Sequence, residues 1–332
     1  GTISAAELAT MGYNTWQNVL SKVPHETKIY PAHGAGSLCG ANLSDEPVST
    51  FGEQWKENPY FQYKDLATYV MSVLDGLPEA PQYFGHNAKM NKLGPALVEA
   101  SEQMPRALTS QEAEKMAHGG AWLLDVREAS LFSAGHVPGS INIPIRGRFE
   151  TWVGTMIPWG VPFVIVGSEE EALEAKFRLT RIGYDQPAGY LKGGVQAWKM
   201  DTRPVKTVMM VKPRDLNKQI QQGSAPVLVD VRLPKEWMGL RIADKMLNMP
   251  INALHLEATR LDPAMPVMTI CNSAYRSSMG ASVLLKAGFK DVRNLEGGSQ
   301  AWIEAGLPTY SSKKVEGKEG GAPSSYVDIP ER

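Results

Sequence analysis

The chain repeats itself, and the repeat limits what it can fold into. LLDVR at 123–127 returns as LVDVR at 228–232, an offset of 105. LKGGVQAW at 191–198 returns as LEGGSQAW at 295–302, an offset of 104. Between them FVIVGSEEEA (163–172) aligns with VMTICNSAYR (267–276), again at 104. A period of roughly 100 residues is long enough for a domain with its own core. Residues 107–205 and 206–310 are therefore two copies of one domain. They are preceded by a different part (1–95) and a linker (96–106), and followed by a polar tail (311–332) expected to be flexible.

Each copy reads alike. A polar-capped helix opens it, TSQEAEKMA (109–117) and KPRDLNKQI (212–220), with Thr109 or Ser110 as cap. The apolar runs AWLLDV and APVLVDV follow, as strands covered on both faces. A loop comes next, carrying AGHVPGSINIP in the first copy only. The strands PFVIV and PVMTI lead into helices, and a short strand then ends at Gly-Gly before a helix containing QAW. Strands alternating with helices predict an α/β fold, a parallel sheet flanked by helices. Asp125 with Arg127, and Asp230 with Arg232, are read as structural charge pairs at strand ends, and Trp198 and Trp302 as core anchors.

Composition closes off other classes. Of 332 residues 43% are hydrophobic and 21% charged, and the net charge of −1 gives no reason to expect a nucleic-acid or membrane partner. No apolar run approaches the roughly 20 residues of a membrane helix. The opening GTISAAELATMG lacks a signal-peptide layout, and two distant cysteines make no disulfide framework, so a reducing, cytoplasmic setting is expected. A homo-oligomer stays open.

The pattern DVR, GHVPGSINIP, strand–loop–helix, GG-x-QAW resembles the rhodanese family over about residues 107–310. Cys271 falls where that family carries its persulfide-forming cysteine. The resemblance implies a sulfurtransferase with small sulfur donors and thiol acceptors, and no cofactor for this part. His136 in GHVPGS is then a signature of the scaffold rather than a catalytic group.

The chemistry asks for a thiolate, which an ordinary cysteine supplies sparingly at neutral pH. A strand turning sharply into a helix provides a positive field from successive N–H groups and the helix N-terminus. Asn272, Ser273 and Ala274 are small enough for a tight cradle, Tyr275 completes the substrate-binding loop, and Ser277 is expected to cap the helix. Arg276 is expected to hold an anionic donor or the charged end of a thiol acceptor. The spacing C-x4-R favours sulfur; a C-x5-R loop would resemble the dual-specificity phosphatases. The main competing reading is a non-catalytic scaffold in which Cys271 is a buried small hydrophobe. The first copy has Gly167 for the cysteine, Ala172 aligned with Arg276, and three acids, Glu169, Glu170 and Glu171, at the cradle. It is read as catalytically dead.

In the first part, KIYPAH reads as a short strand ending at His33, with helical character from Thr50 onward. IYPAHGAGSLCG with STFGEQWKENP (49–59) resembles the final part of metallo-β-lactamase-fold (αββα) hydrolases, particularly glyoxalase II-like persulfide dioxygenases, over about residues 3–95. The resemblance implies a fusion serving sulfide detoxification, with Fe(II) or Zn in the intact parent. His33 then matches a late histidine of the metal cluster, and Cys39 lies near the same cleft. The main motif H-x-H-x-D-H is absent: His25, His33, His86, His118, His136 and His255 cannot form it. A truncated chain that does not hold the metal alone is the expectation.

Overall fold

The computed structural model describes residues 3–32, 46–75, 83–94, 104–185, 187–314 and 326–330. The chain divides into two units, 1–80 and 81–332. His33 and Cys39 lie outside the described residues.

In the first unit the helix Ala5–Asn18 starts at a capping box between Ser4 and Glu7. The strand expected over KIYPAH is limited to Lys28–Ile29, which pairs antiparallel with Ser49–Thr50. Pro31 follows, and proline has no N–H to extend a ladder. The helix expected from Thr50 runs Phe51–Glu57, capped by Thr50 and Glu53. Tyr69, on the helix Leu66–Leu74, is buried, and its ring lies 5.3 Å from that of Tyr13.

The second unit holds two parallel five-stranded sheets of the same order. In the first, Ala107–Leu108, Gly189–Leu191, Phe163–Val166, Trp122–Asp125 and Ile141–Asn142 lie side by side. In the second the corresponding strands are Met209–Val211, Val292–Leu295, Val267–Ile270, Val227–Asp230 and Leu247–Asn248. Successive side chains of a strand point to opposite faces, and the core divides accordingly. Leu228, Met268, Ile270 and Leu295 enter one cluster. Val229, Val267 and Val292 enter another, shared with Leu124, Phe163, Ile165 and Tyr190 of the first sheet. The two domains are thus joined by a common apolar core. Cys271, one residue beyond Ile270, falls on that shared face.

The helix Tyr275–Lys286 lies in this junction. It packs on its own strands Val267–Ile270 and Val292–Leu295, and on Ile141–Asn142 and the helix Ala129–Ala134 of the first domain. Polar contacts fix its register. Ser278 Oγ donates to Asn142 Oδ1 at 2.5 Å, and the main-chain N–H of Asn142 donates to Ser282 Oγ at 3.0 Å. Lys286 Nζ sits 4.7 Å from the centre of the Trp122 ring.

Several expectations change. Residues 83–93, assigned from the sequence to the first part (1–95), form the helix Tyr83–Leu93. Tyr83 is buried in the shared core, and the His86 ring lies 4.2 Å from that of Trp159, so this helix is part of the second unit. Only the first copy's opening helix is polar-capped, by Thr109 and Glu112. In the second, Lys212 stands at the cap without a side-chain bond, and Pro213 presets the first turn. The tail was expected to be flexible, yet Tyr310–Lys314 pairs antiparallel with Tyr326–Pro330. Tyr310 also exchanges two backbone hydrogen bonds with Arg241, both 2.8 Å.

Candidate functional site

Four residues, Cys271 to Ala274, connect the strand Val267–Ile270 to the helix Tyr275–Lys286. Ala274 adopts the left-handed conformation, φ 65°, which lets the chain turn into the helix within this length. The Gly-Gly turn before the last helix holds the loop from behind. The N–H of Ser299 donates to the carbonyl of Cys271 at 2.8 Å, and that of Gln300 to the carbonyl of Asn272 at 3.0 Å. A Cβ on Gly298 would come within 2.3 Å of the Cys271 oxygen, so the approach requires glycine.

In a trans peptide the N–H points opposite to the C=O. With two carbonyls turned toward the Gly-Gly turn, the N–H groups of Asn272 and Ser273 face the other way. Among the described residues, no acceptor takes the N–H of Asn272, Ser273, Ala274, Tyr275, Arg276 or Ser277. Six successive free donors at a helix N-terminus make an anion cradle.

Ser277 does not cap the helix; Ala274 occupies that place and brings no side-chain bond. Ser277 lies one turn in, buried, and its Oγ donates to Cys271 Sγ at 3.3 Å. That bond gives the sulfur a side-chain donor. Cys271 itself is 1% exposed, so a reacting sulfur must reach it through the loop.

Arg276, the second residue of the helix, does not stand open to a donor. Its two Nη atoms bond the two carboxylate oxygens of Glu236, each at 2.7 Å. Burial pulls the guanidinium pKa down, but Glu236 more than offsets it and holds Arg276 above its ordinary value, with Cys271 and Asp230 adding to the rise. Burial likewise raises Glu236, and Arg276 outweighs it to leave the carboxyl below its usual range. Tyr275 reaches out of the loop: its hydroxyl donates to the carbonyls of Arg146 (2.8 Å) and Pro144 (3.2 Å) in the first domain.

The charge pairs read from the sequence form as expected. Arg127 bonds Asp125 and the carbonyl of Gly135, and Arg232 bonds Asp230 and the carbonyl of Leu240. Each arginine ties a strand end to the chain entering the next loop. His136 is buried, stacked on Phe132 at 4.0 Å, with Nδ1 3.0 Å from the Phe132 carbonyl oxygen. Burial drives its pKa down to about 4. Trp198 and Trp302 are buried and donate Nε1–H to Pro204 and Pro308.

The first copy differs more than its residues suggest. There the strand Phe163–Val166 is followed by only Gly167 and Ser168 before the helix Glu169–Thr180 begins. The gapless pairing of Arg276 with Ala172 therefore fails: the strands are offset by 104 residues and the helices by 106, so Arg276 matches Glu170. The cradle is two residues too short. Ser168 and Glu171 close a capping box over its donors.

The implied metal finds no ligand set among the described residues: no three of His, Cys, Asp and Glu gather there, and no step below passes through a metal. Among the same residues no helix is long and apolar enough to cross a membrane.

The chain belongs to the rhodanese-like family: the Rhodanese-like domain matches residues 109–201 and again 212–305. A sulfurtransferase of Allochromatium vinosum is 29% identical over 98 residues, 30% of this chain and 91% of that protein. The thiosulfate sulfurtransferase GlpE of Pseudomonas fluorescens is 27% identical over 107 residues, 32% of this chain and 92% of that one. An uncharacterized Synechocystis protein is 34% identical over 110 residues, and the chain spans 60% of its length. A metallo-β-lactamase structure from Staphylococcus aureus aligns over 55% of this chain and 50% of its own, at 27% identity and TM-score 0.45.

Sequence reasoning missed Glu236. At the repeat offset of 105 its counterpart is Leu131, so carboxylate and arginine both occur only in the second copy. That joint occurrence was the available signal.

Proposed function

We propose that the chain is a rhodanese-type sulfurtransferase. Cys271 takes a sulfane sulfur from thiosulfate or a low-molecular-weight persulfide and passes it to a thiol, sulfite or cyanide. The observation that carries this reading is the set of six unclaimed N–H groups from Asn272 to Ser277 around the loop that bears Cys271. Such a cradle stabilises a thiolate and, after transfer, the terminal sulfur of a persulfide anion. The reaction is ping-pong, with the sulfur held covalently between two half-reactions.

The first 80 residues belong, on this reading, to a persulfide dioxygenase part of a sulfide-detoxifying fusion. Their support is the likeness of IYPAHGAGSLCG and the Thr50–Glu53 capping box within STFGE. A site that produces or consumes a small persulfide would then be linked to one that stores its sulfur. The burial of Cys271 favours a second reading, a scaffold without catalysis.

Intact mass after incubation with thiosulfate or glutathione persulfide separates the two. A gain of one sulfur atom, removed by cyanide and absent from Cys271→Ser, supports the transferase. No gain from either donor, with Cys271 inert to an alkylating agent, supports the scaffold.

A further inference from the structure

Three arginines surround the Cys271 loop, and each is matched by a carboxylate. Arg232 is paired with Asp230, Arg276 with Glu236, and Arg146, whose guanidinium lies 5.1 Å from the Tyr275 ring centre, with Glu128. The Arg276–Glu236 pair is a planar two-bond fork, the geometry an oxyanion would otherwise occupy. Glu236 is itself held: its carboxylate accepts the N–H of Leu233 at 3.1 Å, and Pro234 fixes the start of its helix. The cradle therefore offers N–H dipoles, and the Arg276 guanidinium beside them is already charge-matched.

This arrangement treats two classes of sulfur donor differently. Thiosulfate carries its sulfonate bonded directly to the transferred sulfur. Its full negative charge must enter the cradle that Arg276 helps form, beside the Arg276–Glu236 pair. An alkyl persulfide presents a sulfur–sulfur end on a carbon chain, and its charged groups remain farther out. Coulomb energy falls with distance and is screened outside the cleft, so Glu236 opposes the first donor more than the second.

We propose that Glu236 is a specificity-determining residue that masks Arg276 and sets the Cys271 site for alkyl persulfides against small oxyanionic donors; this rests on Cys271 being the sulfur acceptor. In the favoured step the Cys271 thiolate attacks the terminal sulfur of R–S–SH. A new S–S bond forms to Cys271 as the bond between the two donor sulfurs breaks. RS⁻ leaves with the electron pair of the broken bond, and the proton stays on the transferred sulfur. In the second half-reaction an acceptor thiolate takes that sulfur and Cys271 leaves as thiolate. Atoms and charge balance without an outside oxidant or reductant.

The test compares the full chain with Glu236→Gln and Glu236→Asp, measuring kcat/KM for Cys271 loading from glutathione persulfide and from thiosulfate. Glu236→Gln keeps the shape and removes the charge. It is expected to raise thiosulfate use about ten-fold while persulfide use changes less than about three-fold. Glu236→Asp loosens the contact but keeps the charge, and the wild-type donor ratio should persist. A merely structural pair would lower both donors together in both variants, and that result overturns the proposal while leaving persulfide transfer standing. Failure of both donors to load wild-type Cys271 would overturn the transferase reading and this proposal with it.

Discussion

The hydroxyl of Tyr275 donates to the main-chain carbonyl of Arg146 at 2.8 Å, across the boundary between the two repeat domains. Tyr275 is the first residue of the helix behind the cradle, and Arg146 lies in a domain that has no cradle of its own. The first domain thus acts as a wall that fixes where the reactive loop ends. Burial pushes the Tyr275 pKa up to about 12, so the phenol remains a donor through the neutral range. Tyr275→Phe removes the bond and keeps the ring. The expected loss is about 1 kcal/mol of stability by urea unfolding. Cys271 loading should slow as well, since the loop loses its outer anchor. An unchanged loading rate with reduced stability would show that the tie is structural alone.

The Ser277 hydroxyl offers a second handle on the thiolate. Ser277→Ala removes the one side-chain donor to Sγ and should slow the alkylation of Cys271 several-fold. Iodoacetamide rates across pH 5–9 would show it. Coincident profiles for the two proteins would mean that the cradle N–H groups alone set the reactivity.

The sheets, the order of elements and the position of Cys271 were legible because the repeat supplied each element twice. The short apolar runs around LVDV and VMTI marked the strands, and Gly-Gly before QAW marked the turn at Gly298. The two-residue difference in loop length was hidden, because the longer cradle is compensated after the helix and the flanking strands keep an offset of 104. The roles of Ser277, Tyr275 and Glu236 depend on which side chains meet after folding. Tyr275 finds its partners about 130 residues away, and no local pattern records that.

Glycine positions separate close approach from backbone strain. Gly298 has φ +64° and a Cβ there would meet the Cys271 oxygen at 2.3 Å, whereas Gly288 has φ +99° with nothing within 4 Å. Gly288→Ala should cost about 1 kcal/mol, the penalty of the left-handed backbone. Gly298→Ala should cost more, roughly 3 kcal/mol, and should abolish sulfur loading because the loop is pushed off its two hydrogen bonds. Thermal unfolding and intact mass on both variants check this. Equal stability of the two would contradict the close approach.

His136 makes stability depend on pH. Its folded pKa of about 4 lies below the ordinary value of 6.5, chiefly because burial penalises the charged ring. The unfolded chain therefore takes up the proton first as pH falls. The contribution of the neutral ring is complete above about pH 6.5 and is lost as pH drops toward 4, amounting to about 3 kcal/mol. Urea midpoints between pH 7.5 and 4.5 should fall on the acid side, and less steeply in His136→Asn. Parallel slopes in the two proteins would place the acid sensitivity elsewhere.

Restoring the missing nucleophile should not revive the first domain. Gly167→Cys puts sulfur at the position that matches Cys271 in strand register. A Cβ there would meet Val126 Cγ2 at 2.8 Å and Glu171 Oε2 at 3.0 Å. The nearest charge would be a carboxylate, and the helix N–H groups of Ser168 and Glu171 are already taken by the capping box. Such a cysteine stays a thiol, since a neighbouring anion and burial both disfavour its ionisation. In a Cys271→Ser background, Gly167→Cys should gain no sulfur from glutathione persulfide at neutral pH. Inserting two residues after position 167 and replacing Glu171 by Ser would be required before any loading appears. A mass gain in the simple substitution would show that the strand end alone suffices, and that the six-donor cradle is not what makes Cys271 reactive.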